Sequence, residues 1–281
     1  MKLLHQQYGK ARVRVMKVTR VASRHELKEV EVSVVLEGDF ADSYLKGDNR
    51  LVVATDTMKN TVNALAQEHL GDQIELFGRA LGEHFLNDYP QIRQVTIRLR
   101  EHSWQRMEIN NAPHPHSFLR NPGAKLFARI VCSREKFSVE SGVEDLLILK
   151  TTESGFEGYP KDKFTTLPET KERILATNLK ATWLYQNAPE NYSLSNQKIL
   201  AAMLKVFATT YSPSVQTTLY QMAEAGLQSA SEISQIHLVM PNKHCLLVNL
   251  SPFGLENKNE IFVPTDEPHG QIEATISRDE V

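Results

Sequence analysis

Residues 25–37, HELKEVEVSVVLE, place an apolar side chain at every second position from Val30 to Leu36. This period of two is typical of a strand that buries one face. The preceding stretch, GKARVRVMKVTR at residues 9–20, alternates small or apolar side chains with basic ones. The two stretches are therefore predicted to form consecutive strands.

Apolar residues at helical spacing follow these strands. LVVATDTMKNTV, residues 51–62, begins like a strand and continues as a helix, and a second helical repeat comes before the next strand. Strands are then predicted at residues 94–104 and 125–133. The segment APHPHSFLRNPG, residues 112–123, is rich in Pro, Asn and His and is predicted to be a loop. The first half therefore has the order strand, strand, helix, helix, strand, strand.

The second half repeats this order with one addition. Thr166-Leu167-Pro168-Glu169 has the pattern of a capping box with Pro in the first turn, which predicts an extra short helix. The other predicted strands and helices of this half lie at residues 144–151, 179–186, 196–211, 214–228, 235–242, 246–251 and 272–277.

A shared order in both halves, without a short sequence repeat, predicts the duplication of one α+β unit. Each unit is expected to have an antiparallel sheet with paired helices on one face. The predicted units are residues 1–135 and 136–281. Open sheets of this kind have edges that must be covered, and oligomerisation would cover them.

Composition excludes several classes of partner. The 281 residues include 32 Lys plus Arg and 34 Asp plus Glu, so the sequence lacks the basic excess of a nucleic-acid-binding or membrane-surface protein. No apolar run approaches the roughly 18 residues of a membrane-spanning helix, and the first residues become polar too early for a signal peptide. Cys132 and Cys245 have no nearby cysteine, and the last residues, Arg278-Asp279-Glu280-Val281, are not a peroxisomal signal. We therefore expect a cytoplasmic protein.

Most of the polar residues that could perform chemistry also have a simple structural explanation. Thr55, Asp56 and Thr57 stand where a helix is predicted to begin, so they are expected to cap it, although a helix start can also bind an anion. Lys10, at the head of a strand, is most simply explained as a charged side chain that is exposed to solvent. Arg173 follows Glu169 by one turn of the extra predicted helix, which indicates a surface ion pair.

Two histidine-containing segments also have structural explanations. Pro241-Asn242-Lys243-His244 is expected to form a turn with an exposed His244. His114 and His116 have no carboxylate or thiolate close in sequence, so a metal site is not expected there. The sequence also lacks HExxH, GxGxxG, P-loop and GxSxG motifs, which disfavours the enzymes that bind nicotinamide or ATP through them.

Five blocks in order resemble the urate oxidase (uricase) family. They are Tyr8-Gly9-Lys10, VVATDTMKNTV (52–62), FEGYPKDKFTTLPETKERILAT (156–177), SPSVQ (212–216) and PNKH (241–244). The resemblance is distributed over nearly the whole chain. It implies two tandem tunnelling-fold (T-fold) units per chain, assembled as a homotetramer with active sites at subunit interfaces.

The resemblance also implies a role for each site residue. Phe156 would stack on the purine ring, and Arg173 and Gln216 would bind opposite polar edges of urate. Val215 would contribute its backbone amide, and Asp56 of a neighbouring subunit another. Lys10 and Thr55 would form a proton relay across the interface, and Asn242 and His244 would hold oxygen and water above the ring.

The implied reaction converts urate, O2 and water to 5-hydroxyisourate and hydrogen peroxide, without a metal or an organic cofactor. Two alternatives remain open. Another T-fold enzyme or binder of purines or pterins would keep a pocket for a planar heterocycle, typically with an acidic anchor. A non-catalytic oligomeric scaffold would keep only the fold.

Overall fold

A computed structural model describes residues 1–121 and 123–278. The chain folds into two compact units. Unit 1 comprises Met1–Gly142 and Leu184–Ser195, and unit 2 comprises Val143–Trp183 and Asn196–Val281. The predicted boundary, after residue 135, lies earlier in the chain than the boundary between Gly142 and Val143. It falls in the turn before the strand that begins at residue 137. Residues 279–281, on which the expectation about the peroxisomal signal rests, lie outside the described residues.

The elements of unit 1 are β1 (Tyr8–Val21), β2 (Arg24–Gly38), α1 (Ala41–Lys46), α2 (Thr55–His69), α3 (Ile74–Asp88), β3 (Ile92–Glu101), β4 (Trp104–Ile109), β5 (Ala112–Arg120) and β6 (Lys125–Ser133). The unit is built on an antiparallel sheet in the order β1-β2-β3-β6. Helices α2 and α3 pack on one another, and α3 packs on β3 and β6. The alternating apolar positions of β2, including Val32 and Leu36, are fully buried, as the alternation predicts.

Unit 2 also combines strands and helices, some of which extend along the chain from one unit into the other. The elements are β7 (Phe137–Lys150), β8 (Leu175–Tyr185), α4 (Tyr192–Thr209), α5 (Val215–Ser229), β9 (Ile233–Val239), β10 (Asn242–Leu247), a 3-10 turn (Ser251–Phe253), β11 (Phe262–Gly270) and β12 (Glu273–Ser277). Strand β10 pairs antiparallel with β8 and β11, β9 pairs with β12, and α5 packs on β9 and β12.

The predicted α+β class and the repeated order of strands and helices are confirmed. Within the described residues, no helix is both long and apolar enough to cross a membrane.

The predictions for residues 112–123 and for the capping box at Thr166 are wrong. The residues around Pro113 and Pro115 form β5, which pairs with β4 in a separate two-stranded ribbon. Prolines are tolerated there because such a ribbon, unlike the middle of a sheet, can leave backbone groups unpaired. The extra helix at residue 166 is also absent: the backbones of Phe156 and Thr170 exchange hydrogen bonds of 2.7 and 3.1 Å, which close the residues between them into a loop.

Candidate active site

Lys10 lies at an irregular point of β1. It pairs with Val34 of β2, and the register shifts between Lys10 and Val13. A Cβ atom on Gly9 would come within 1.9 Å of the Val34 carbonyl oxygen, so only glycine permits this approach of the two backbones. The bulge therefore sets the direction of the half-buried Lys10 side chain.

The polar residues at the start of α2 do not cap the helix, which corrects the first interpretation. Ala54 is the N-cap residue, and its methyl side chain cannot accept a capping hydrogen bond. Thr55 and Asp56 are the first two helical residues, and both are exposed. The segment before them, residues 51–54, is not a strand. The exposed residues at this helix start are therefore not explained by capping.

Asp56 and Lys10 are close enough to interact electrostatically. Hydrogen bonding to the Lys59 ammonium is the main reason that the pKa of Asp56 is lowered, and the charge of Lys10 lowers it further. The Asp56 carboxylate also accepts a 3.1 Å hydrogen bond from the Asn60 side-chain amide. The structure therefore brings Lys10 and the first turn of α2 together within unit 1.

Tyr8 holds these two segments together. Its hydroxyl accepts a 2.7 Å hydrogen bond from the Val53 amide and donates one of 3.2 Å to the Val53 carbonyl. Its ring packs edge-on against Phe40 at a centroid distance of 4.8 Å. Burial is the main reason that the pKa of Tyr8 is raised, which keeps the hydroxyl protonated. The sequence offered only the Tyr-Gly-Lys block, with no sign of this contact.

We expect Tyr8→Phe to lower the free energy of unfolding by about 1–3 kcal/mol, because both backbone groups of the buried Val53 lose their partner. Urea denaturation measures the change. Tyr44→Phe is the matched control, since the Tyr44 hydroxyl also bonds to a backbone carbonyl but the residue is 50% exposed. Its expected effect is below about 0.5 kcal/mol. Equal losses in the two variants would contradict the role of Tyr8.

Phe156 and Arg173 are brought together in unit 2 by backbone hydrogen bonds. The Phe156 backbone is bonded to Thr170, and the Arg173 amide donates a 2.8 Å hydrogen bond to the Ser154 carbonyl. The Arg173 guanidinium carbon consequently lies 5.4 Å from the centre of the Phe156 ring. The Tyr159 ring stacks on Phe156 at 4.7 Å. A cation and a flat aromatic surface are thus adjacent.

Arg173 is not paired with Glu169, so the predicted helix-surface ion pair is wrong. Glu169 lies 3.0 Å from the ammonium nitrogen of Lys161 instead. Arg173 is half-buried, and burial lowers the pKa of its guanidinium. Among residues 1–121 and 123–278 it has no salt-bridge partner, and its only side-chain hydrogen bond is a long one of 3.4 Å to the Ser154 hydroxyl. A partly desolvated cation without an anion is costly unless a ligand supplies the anion.

Helix α5 begins beside this pair. Ser214 caps it, accepting a 3.1 Å hydrogen bond from the Thr217 amide. The amide of Gly155, next to Phe156, donates a 2.8 Å hydrogen bond to Ser212, two residues before the cap. Val215 is buried and Gln216 is exposed in the first turn of α5. The positive end of a helix therefore lies at the segment that carries Phe156.

Asn242 and His244 are not in a turn, which corrects another prediction. They belong to β10, where Asn242 pairs with Thr177 of β8 and His244 pairs with Thr265 of β11. Strand β8 begins two residues after Arg173, so Asn242 lies one strand away from the segment that follows Arg173. Asn242 is half-buried, and His244 is exposed as expected.

The nine predicted site residues therefore form two groups. Lys10, Thr55 and Asp56 belong to unit 1. The others belong to unit 2, and they are Phe156, Arg173, Val215, Gln216, Asn242 and His244. Within the described parts of the chain, no cluster of three or more His, Cys, Asp or Glu residues could hold a metal ion. The rings of His114 and His116 do lie 4.6 Å apart, on β5.

Comparison with known proteins assigns the family. The uricase family profile matches residues 6–131 and 139–273. The chain is 41% identical to a uricase of Dictyostelium discoideum over 280 residues, or 98% of this chain and 97% of that one. It is 37% identical to a uricase of Oryctolagus cuniculus over 278 residues, or 96% and 93%.

A crystal structure of the uricase from Arthrobacter globiformis has the same fold, with a TM-score of 0.95 and 40% identity over 100% of this chain and 96% of that one. The predicted class of two tandem T-fold units is thereby confirmed. Sequence, fold and family profile agree: the chain belongs to the uricase family.

Proposed function

We propose that the protein converts urate, O2 and water to 5-hydroxyisourate and hydrogen peroxide without a metal or organic cofactor. Membership of the uricase family supports urate oxidation. The observation that carries the proposal is Arg173, a half-buried cation without an anionic partner among the described residues, beside the Phe156 ring. Urate is a flat anion, so it complements both groups.

Urate recognition uses shape and charge together. Stacking on Phe156 contributes about 0.5–1.5 kcal/mol beyond the buried area. The guanidinium of Arg173 presents several donors in one plane, which suits the edge of an anionic heterocycle. Gln216 binds the opposite edge, and the Val215 amide, at the positive end of α5, adds a donor. A further backbone amide comes from Asp56 of a neighbouring subunit.

The reaction needs no resident redox group because urate is itself electron-rich. Ground-state O2 is a triplet and reacts slowly with closed-shell molecules, so most oxidases use a cofactor that transfers electrons singly. Loss of a further proton from the urate monoanion gives a dianion that passes two electrons to O2, one at a time. O2 takes up two protons and becomes hydrogen peroxide. Water attacks C5 of the oxidised purine, which yields 5-hydroxyisourate after loss of a proton.

The residues of this chain move the protons and orient the reactants. Lys10 and Thr55 take the proton from urate and pass it on, as a relay. Asn242 and His244 hold O2 and then water on one face of the ring, which replaces random encounters by a fixed orientation. Together they supply orientation and proton transfer, two contributions that the chemistry requires.

A homotetramer with shared active sites accounts for the exposed residues. Thr55 and Asp56 face solvent in a single chain. Large apolar side chains on β10 and β11 are also exposed, for example Leu246 at 55% and Val263 at 52%. Exposed strands of this kind are normally covered by a partner. Light scattering should therefore give a mass about four times the 31.9 kDa of one chain; a monomeric mass would overturn the tetramer.

The deciding experiment uses protein treated with a chelator and then dialysed. We expect such protein to consume urate in air, with loss of urate absorbance matched by one hydrogen peroxide per urate. The control repeats the assay with O2 removed, where urate should bind but persist. Turnover that appears only after a metal or a redox cofactor is added would contradict cofactor independence. Binding without any turnover would favour a purine-binding scaffold.

A further inference from the structure

The buried residues Ser154, Ser212 and Thr218 join the segment beside Arg173 to the start of α5, and we call them the hydroxyl seam. Ser154 and Ser212 are fully buried, and Thr218 is 2% exposed. The Thr218 hydroxyl donates a 2.6 Å hydrogen bond to the Ser212 hydroxyl, which donates in turn to the Ser214 carbonyl at 3.2 Å. The backbones of Ser154 and Ser212 are joined by a parallel bridge. The backbone bridge therefore fixes Ser154 relative to the start of α5, and the Thr218 hydroxyl takes no part in that bridge.

Ser154 contacts Arg173 twice. Its carbonyl accepts the 2.8 Å hydrogen bond from the Arg173 amide, and its hydroxyl accepts the 3.4 Å hydrogen bond from Nε of the guanidinium. The two terminal nitrogens of Arg173 have no hydrogen-bond partner within residues 1–121 and 123–278. The guanidinium is thus held at one end, and its outer nitrogens remain available.

The chemical nature of this anchor matters. Arginines that lose water are usually held by carboxylates, which orient the guanidinium and also neutralise it. A hydroxyl orients the same group through a hydrogen bond but carries no charge. We propose that Ser154 is a positioning residue for Arg173, and that its neutrality keeps the full charge and both outer nitrogens free for the urate anion. This inference rests on the proposed function, because it takes urate as the anion.

Three substitutions separate orientation from charge. Ser154→Ala removes the acceptor and should weaken anaerobic urate binding about 10-fold, with kcat changed by less than about 3-fold, because one hydrogen bond to a charged group is lost. Ser154→Asn and Ser154→Asp introduce two side chains that are nearly equal to each other in size but differ in charge. The Asp variant should bind urate about 100-fold more weakly than the Asn variant, because its carboxylate forms an ion pair with the Arg173 guanidinium and so competes with the urate anion.

Thr218→Val is the matched control within the hydroxyl seam. It keeps the shape of the side chain and removes a hydroxyl that bonds to Ser212 and, among the described residues, makes no hydrogen bond to Arg173. Its melting temperature should fall while its urate dissociation constant stays within about 2-fold of the wild type. A purely structural role of the seam would lower stability in all variants and would not distinguish Asp from Asn. Circular dichroism establishes that each variant is folded.

Equal urate affinity of folded Asn and Asp variants would overturn the positioning role, and so would equal effects of Ser154→Ala and Thr218→Val on binding. If the Asp variant does not fold, the comparison of Ser154→Ala with Thr218→Val decides alone. Failure of the proposed function looks different, because the wild-type protein itself would then neither bind nor oxidise urate.

Discussion

Arg173→Ala should weaken urate binding by about 2–5 kcal/mol, because the anion loses a partly desolvated cation that holds its polar edge. Arg173 is half-buried beside an aromatic ring and has no protein anion as a partner among the described residues. Its removal therefore breaks no ion pair within the described part of the protein. Isothermal calorimetry without O2 measures binding apart from turnover. Arg173→Lys should lie between wild type and Ala, since lysine keeps the charge but loses the planar set of donors.

Lys171→Ala is the control for Arg173. Lys171 lies two residues away in the same segment and is exposed, so its removal changes the net charge equally. Its effect on urate affinity should be no more than about 2- to 3-fold, because exposed charges are screened by solvent and salt. Unchanged binding in Arg173→Ala, or an equal loss in both variants, would contradict direct recognition by the guanidinium.

Lys10→Met should leave urate binding mostly intact but reduce kcat by about 10²–10⁴-fold, because it removes proton transfer and keeps an unbranched side chain. Stopped-flow measurement of urate consumption under saturating O2 reports kcat, and anaerobic calorimetry reports binding. The bulge that sets the direction of Lys10 depends on Gly9 and Val34, whose backbones are unaffected.

Lys17→Met is the matched control on the same strand. Lys17 donates to the Leu70 carbonyl at 2.8 Å, so the variant tests loss of a structural lysine. It should lose some stability and keep a kcat within about 2-fold of the wild type. Normal turnover in Lys10→Met would exclude the relay, whereas a fall in affinity with unchanged kcat would make Lys10 a binding residue.

Much of the fold could be predicted because its strands and helices follow their local periodicity. The alternation around Val32 matches the buried face of β2, and the helical repeat that contains Met58 matches α2. The failures have a common cause. The pattern at Thr166 favours a helix locally, but hydrogen bonds between Phe156 and Thr170, 14 positions apart, close the residues between them into a loop. Such pairing has no signature within a short window of sequence.

The candidate site could be predicted only through resemblance. Spacing alone made Arg173 a surface ion pair and Thr55 part of a cap, and the structure contradicts both interpretations. Arg173 is distinguished by the lack of a carboxylate that would neutralise its charge among the described residues. This is a property of its three-dimensional surroundings. Tyr8 and Ser154 act through contacts with residues distant in sequence or with the backbone, so their residue types alone gave no signal.

The return of residues 184–195 to unit 1 has a consequence for synthesis on the ribosome. This segment includes the buried Tyr192, whose amide donates a 2.8 Å hydrogen bond to the Gln73 side chain. Unit 1 therefore cannot be completed until Ser195 has left the exit tunnel, when residues 143–183 of unit 2 have already been made. Domains usually fold in order as they emerge. Here the last segment of the amino-terminal unit is made after residues 143–183, so a chain that ends at Gly142 lacks Tyr192 and its hydrogen bond to Gln73.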